Sequence, residues 1–141
     1  MRLSLQTDYA LRTLMYLALQ EERSTISAVA EFYAISAAHV AKVVNQLSRL
    51  GWIRSLRGIG GGIELSVPPE QIRLGDVVLA FEGNLHLLEC VGTDNVCVIE
   101  SFCALKGVLA EAERLQTAYL NSLTLKDVLP TRRQLVELTT D

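Results

Sequence analysis

The stretch ECVGTDNVCVIESFC, residues 89–103, gathers all three cysteines of a 141-residue chain. An odd number of thiols cannot all close into intramolecular disulfides, and three is one short of the four ligands that a zinc ion or an iron–sulfur cluster usually takes. The spacing, C-x6-C-x5-C, lacks the tight C-x2-C pair common in structural zinc sites. Its width suits a larger inorganic core, whose ligation points lie several ångströms apart. Gly92, Thr93, Asp94 and Asn95 are turn residues, which argues against three small hydrophobes buried in a core. On these residues alone a cluster, a zinc ion, and thiols acting without metal all stay open.

Other chemistry is thin. His39 and His86 are isolated in sequence, and no nucleophile–base or acid–base constellation emerges, so no enzyme is expected. The glycine run GIGGG at 58–62 lacks the Lys-Ser/Thr of a nucleotide loop, and no helix follows it.

Around the cysteines the apolar spacing predicts a mainly α chain. Ala10, Leu11, Leu14, Met15 and Ala18 recur at threes and fours, so a helix runs from Thr7 to about Gln20, with Thr7 as its cap and Asp8 as a first-turn anion. A short helix follows Thr25–Ser27 to about Phe32. After a brief turn, Ser36 caps a third, whose buried stripe is Val40, Val43, Val44, Leu47 and Leu50 before a stop at Gly51. Its polar face carries His39, Lys42, Asn45, Gln46 and Arg49. Two short strands, 52–55 and 63–67, flank the glycine tip. Together these form a winged helix-turn-helix with a small β-hairpin wing. In such a module Lys42, Arg49, Arg54 and Arg57 serve mainly phosphates, and His39, Asn45 and Gln46 lie nearer base edges. Ser36, Gly60 and Gly61 complete the candidate DNA surface.

Pro68-Pro69 mark a boundary between a DNA-binding domain, 1–67, and a second part, 68–141. The second part holds a short helix from about Leu74–Asp76 to Phe81 or Glu82, the cysteine loop (about 88–104), and a long helix to about Asn121. Leu105, Val108, Leu109, Ala112, Leu115 and Tyr119 stripe that helix. A stripe so long needs a cover, and the same helix of a second copy supplies one. Thr124–Asp127 resembles a capping box, and the end from Pro130 is polar and reads as frayed.

Charge agrees with this division. The net charge of −3 argues against simple electrostatic adhesion to nucleic acid, yet residues 1–66 carry seven Lys/Arg against five Asp/Glu, and the remainder six against eleven. Asp8 and Arg12 interrupt the apolar N-terminal run, and no run approaches a membrane helix. The chain therefore reads as soluble and cytoplasmic, a setting where clustered thiols bind metal or sense redox state.

Together, TDYALRTLMYLA (7–18), ISAAHVAKVVNQLSRLGWIRSLRGIGGGIEL (35–65), IRLGDVVLAFEG (72–83) and the three cysteines resemble the bacterial winged-helix regulators of the Rrf-two family. The likeness covers residue 1 to about 129 and is nearest to the family's nitric-oxide-sensing branch. It implies a homodimeric repressor on a palindromic operator, with nitric oxide as effector. It also implies an iron–sulfur cluster, 4Fe-4S with 2Fe-2S as the alternative, held by Cys90, Cys97, Cys103 and Asp8 of the partner subunit. His86, four residues before Cys90, is a rival fourth ligand. The cluster-homeostasis branch is similar too, but the position of its histidine ligand is Lys106 here, and an ammonium cannot ligate iron. The six-residue first gap is long for the family, and no proline adjoins Cys97. Two other readings compete: a thiol switch, or a zinc-stabilised interaction module that binds no DNA.

Overall fold

A computed structural model describes residues 2–20, 22–131 and 134. The first helix, α1, spans Leu5–Leu19. Ser4 caps it, its Oγ accepting from the Thr7 amide at 3.3 Å. Thr7, the cap expected from sequence, instead lies inside the helix and is fully buried, with its hydroxyl committed to Glu82. Asp8 keeps its place in the first turn.

Helix α2, Ile26–Phe32, is capped by Thr25, and α3 spans Ala37–Arg49. Ser36 occupies the N-cap position of α3 but makes no side-chain capping bond. Between them Ala34 is left-handed, φ +52°, a conformation that costs a non-glycine residue about 1–2 kcal/mol. Val40, Val43, Val44 and Leu47 are buried as expected, whereas Leu50 is exposed because the helix has ended beneath it.

Strands β1, Ile53–Leu56, and β2, Gly62–Leu65, pair antiparallel with Arg54 opposite Glu64. The first expected strand, 52–55, is thus shifted by one residue toward the tip, and the second, 63–67, begins one residue nearer the tip and ends two residues sooner. A bridge between Ser24 and Ile63 ties the wing to the chain leaving α1. Its two bonds are 3.0 Å and 2.8 Å long.

Helix α4 spans Leu74–Glu82, α5 is a single turn at Glu89–Gly92, and α6 spans Ala104–Asn121. After α6 the chain returns. Leu125 donates to Ile72 at 2.8 Å, and Thr124 and Asp127 form the expected capping box around a 3₁₀ turn. Beyond Thr131, Gln134 apart, the polar end expected to fray lies outside the described residues.

One apolar cluster runs through these elements: Ala10 and Leu14 of α1, Val43 and Leu47 of α3, Ile53 and Ile63 of the wing, and Ile72, Val77 and Leu125 from the second half. A Leu47→Ala variant is expected to lose about 2–5 kcal/mol of stability, the range for a leucine truncated in a packed core. Urea unfolding should show the midpoint fall with an unchanged m-value. No helix among the described residues is long and apolar enough to cross a membrane.

Candidate nucleic-acid interface and cysteine site

The outward face of α3 carries His39, Lys42, Asn45 and Arg49, all exposed. Gln46 departs from expectation. It lies three residues after buried Val43, on the inward flank, and its Nε2 donates to the Ala80 carbonyl of α4 at 3.3 Å. The outward placement read from the polar spacing is therefore corrected. His39 stacks on Tyr9 of α1, ring centroids 5.8 Å apart and planes at 29°. This contact couples the first helix directly to the front of α3.

On the wing, Arg54 is engaged by Glu64 at 2.6 Å, and Arg23 reaches the same carboxylate at 3.3 Å. The Glu64 carboxyl is held below its usual range, first by Arg54 and then by Arg23. Arg57 is exposed and makes no ion pair among the described residues. Arg23 also donates to the Gly60 carbonyl at 3.0 Å, and the Gly61 amide closes the tip onto the Gly58 carbonyl at 3.0 Å. Sequence reading missed Arg23. Only the pairing of Ser24 with Ile63 brings it to the wing.

Cys90 and Cys103 are half-buried and Cys97 is exposed; all three are free thiols. No residue from 88 to 103 is fully buried. Cys90 lies within α5, and Cys103 immediately precedes α6. Two groups of polar contacts hold the segment and the residues leading into it. Lys106 binds Asp94 at 3.1 Å and also Glu100, whose other oxygen accepts from the Val96 amide at 3.2 Å. Glu100 first, then Asp94, raises the Lys106 pKa. In addition, Glu113 of α6 accepts from the Leu87 amide at 2.6 Å and lies 3.0 Å from His86 Nδ1, which lowers the glutamate's pKa. A Cβ on Gly92 would run into His86 Nε2, so only glycine lets the imidazole lie against α5.

The ligand candidates are not gathered within one chain: among the described residues no three His, Cys, Asp or Glu side chains converge as a metal ion would require. Asp8 lies on α1 with its carboxylate 2.8 Å from Arg12, which also lies 5.6 Å from the Tyr33 ring centroid. Three thiols on a segment without buried anchors nevertheless fit an iron–sulfur core in kind, because soft sulfur donors suit iron and no core packing opposes their approach.

Glu82, at the end of α4, accepts from the Ser4 amide at 2.8 Å and from the Thr7 hydroxyl. Thr7 first, then Ser4, holds its carboxyl below the ordinary value of 4.5. A depressed carboxyl pKa stabilises the fold above the unfolded value, and that contribution disappears as pH falls through the folded one. The stability advantage of the native chain over Glu82→Gln is therefore expected to be full at neutral pH and to shrink below about pH 4.5. Paired denaturation curves across that range check it.

A sequence profile described as Rrf2, iron-dependent transcriptional regulator, matches residues 3–131. The chain belongs to the Rrf2 family. It is 40% identical to the HTH-type transcriptional regulator NsrR of Bacillus subtilis (strain 168) across 98% of this chain and 97% of that one. It is 43% identical to the regulator of the same name from Shouchella clausii (strain KSM-K16), across 92% and 89%. Among solved structures, Staphylococcus aureus CymR in an oxidized form superposes with a TM-score of 0.71 at 29% identity, covering 89% of this chain and 94% of that one. T. potens IscR superposes with a TM-score of 0.74 at 22% identity, covering 100% and 93%, and shares the fold. The mainly α winged-helix architecture read from sequence is thus that of Rrf2 regulators. The chain is a DNA-binding transcriptional regulator from a non-enzymatic family.

Proposed function

We propose that this Rrf2 protein is a cytoplasmic homodimeric repressor that leaves its palindromic operator on meeting nitric oxide. In this reading Cys90, Cys97 and Cys103 of one chain, with Asp8 of the partner subunit, hold an iron–sulfur cluster of the 4Fe-4S type. The observation that carries it is the set of three free thiols on one segment without buried anchors, between α4 and α6. Likeness to relatives named NsrR supports the nitric oxide branch. When bound, the cluster supplies iron to which nitric oxide can attach.

The remaining work falls to this chain's own groups. The thiolates are firm donors to iron, whereas the Asp8 carboxylate is a harder and more readily exchanged one. Asp8 rides on α1, and Tyr9, the next residue, stacks on His39 of α3. A partner's grip on Asp8 therefore bears on the front of α3. Two such heads must meet successive major-groove faces about 34 Å apart, so holding or releasing α1 changes the DNA-competent population. His86 is the less suited fourth ligand, because one ring nitrogen faces Glu113 and the other lies against Gly92.

Iron and sulfide quantitation with absorption spectra, on protein purified without oxygen, tests the proposal. Nitric oxide titration follows, with DNA retention measured at each step. A colourless, iron-free preparation would sink it. A second reading, a thiol switch, draws on the exposure of Cys97 and on the oxidized form in which a related fold was crystallised. It expects metal-free protein to lose DNA under mild peroxide and to regain it with reductant.

A further inference from the structure

We propose that Ile59, at the wing tip, is an apolar wedge that enters the minor groove and reads the deformability of a base step beyond the reach of α3. The inference rests on the DNA-binding role above and names one contact within it. Ile59 is 110% exposed, the highest value among the exposed large hydrophobics of the described residues. A lone exposed aliphatic residue is ordinary. This one differs because hydrogen bonds close the turn that carries it.

The Gly61 amide closes the tip onto Gly58, and Arg23, itself bound to Glu64, grips the Gly60 carbonyl. Gly58 and Gly60 adopt φ +90° and +74°, and a Cβ at Gly61 would strike the Leu56 carbonyl. From 58 to 62 Ile59 is therefore the one side chain on a pinned, narrow turn. Arg57 precedes it without an ion pair among the described residues, whereas Arg54 is taken by Glu64. The leading edge thus offers one cation and one stiff aliphatic group.

The cation suits a phosphate on the groove rim. The isoleucine has no hydrogen bond to give a base edge. It can displace water from the sugar-lined wall and press between stacked bases, as apolar wedges do at kinked steps. Its β-branch restricts χ1, so little side-chain freedom is lost on contact. The cost falls on the DNA and is least at flexible pyrimidine–purine steps, which gives sequence preference without a base hydrogen bond.

The test uses the full chain, purified without oxygen, as the native protein, Ile59→Ser, Ile59→Met and Arg57→Gln. Each is challenged with a random pool of duplexes of about 30 base pairs, long enough for two half-sites. The native protein should enrich duplexes with a flexible step at the outer edge of each half-site, and Ile59→Ser should lose that preference alone. On the enriched duplex Ile59→Ser should bind about tenfold or more weakly, the scale of leaving an isoleucine side chain in water. Its salt slope should stay unchanged, whereas Arg57→Gln should flatten the slope by about two, one lost phosphate contact for each subunit of the proposed dimer. A 2-aminopurine at the outer step should brighten with the native protein and Ile59→Met, but not with Ile59→Ser. Thermal midpoints should match, because no core contact is removed. If Ile59→Ser selects and binds as the native protein does, the wedge is overturned while the DNA role stands. If the native protein enriches nothing, the role itself has failed.

Discussion

A chain carrying glutamate at both Val108 and Leu115 is expected to sediment as a monomer, and the native chain, on the proposed assembly, as a dimer. The reason lies in the two sides of α6. Lys106, Leu109, Glu113, Thr117 and Leu120 form its half-buried side, whereas Leu105, Val108, Leu115 and Tyr119 are 56%, 64%, 54% and 67% exposed. Leu109, counted with the outer stripe on sequence spacing, belongs to the inner side. No residue of α6 is fully buried. Covering a Leu or Val side chain contributes about 1.5–3 kcal/mol, and twofold symmetry applies each contribution twice. Glutamate at these positions replaces that gain with carboxylates facing one another. The intramolecular core is untouched, so the variant should stay folded. Its operator affinity should fall about 10²–10⁴-fold, because two tethered reading heads become two separate ones. A double variant that still sediments as a dimer would remove α6 from the interface.

On the proposed cluster, Cys97→Ala purified without oxygen is expected to hold almost no iron or sulfide and to be colourless where the native protein is expected to be brown. Cys97 is exposed and anchors no packing, so the metal-free forms of the two proteins should melt together. DNA affinity should drop about 5- to 150-fold, the span of a typical coupling between two sites on one protein. Iron content equal to the native protein would exclude Cys97 as a ligand. Reductant separates the readings further, since it restores a thiol switch and does nothing for a missing ligand.

Much of this architecture was legible because it is local. Valines and leucines at threes and fours mark the buried side of α3, and glycines between two short apolar runs mark the wing. The errors arose where a distant partner decides. Ser4 and Thr7 are both competent caps, and only Glu82, far along the chain, draws Thr7 inward and leaves Ser4 at the helix start. Gln46 looks outward by polarity, yet it borders Val43 and finds a carbonyl on α4. Arg23 gains a role only when Ser24 pairs with Ile63. At the cysteines, spacing announced chemistry but no geometry. The segment has no buried anchor to set its shape, and the resemblance puts one of its donors on another molecule.

The bare side of α6 carries a consequence for abundance. On the proposed assembly, each chain is protected by mass action, so the endurance of the regulator follows its own copy number. Dilution would leave greasy single chains open to degradation, which sets a floor on how scarce this protein can become before its operators stand empty.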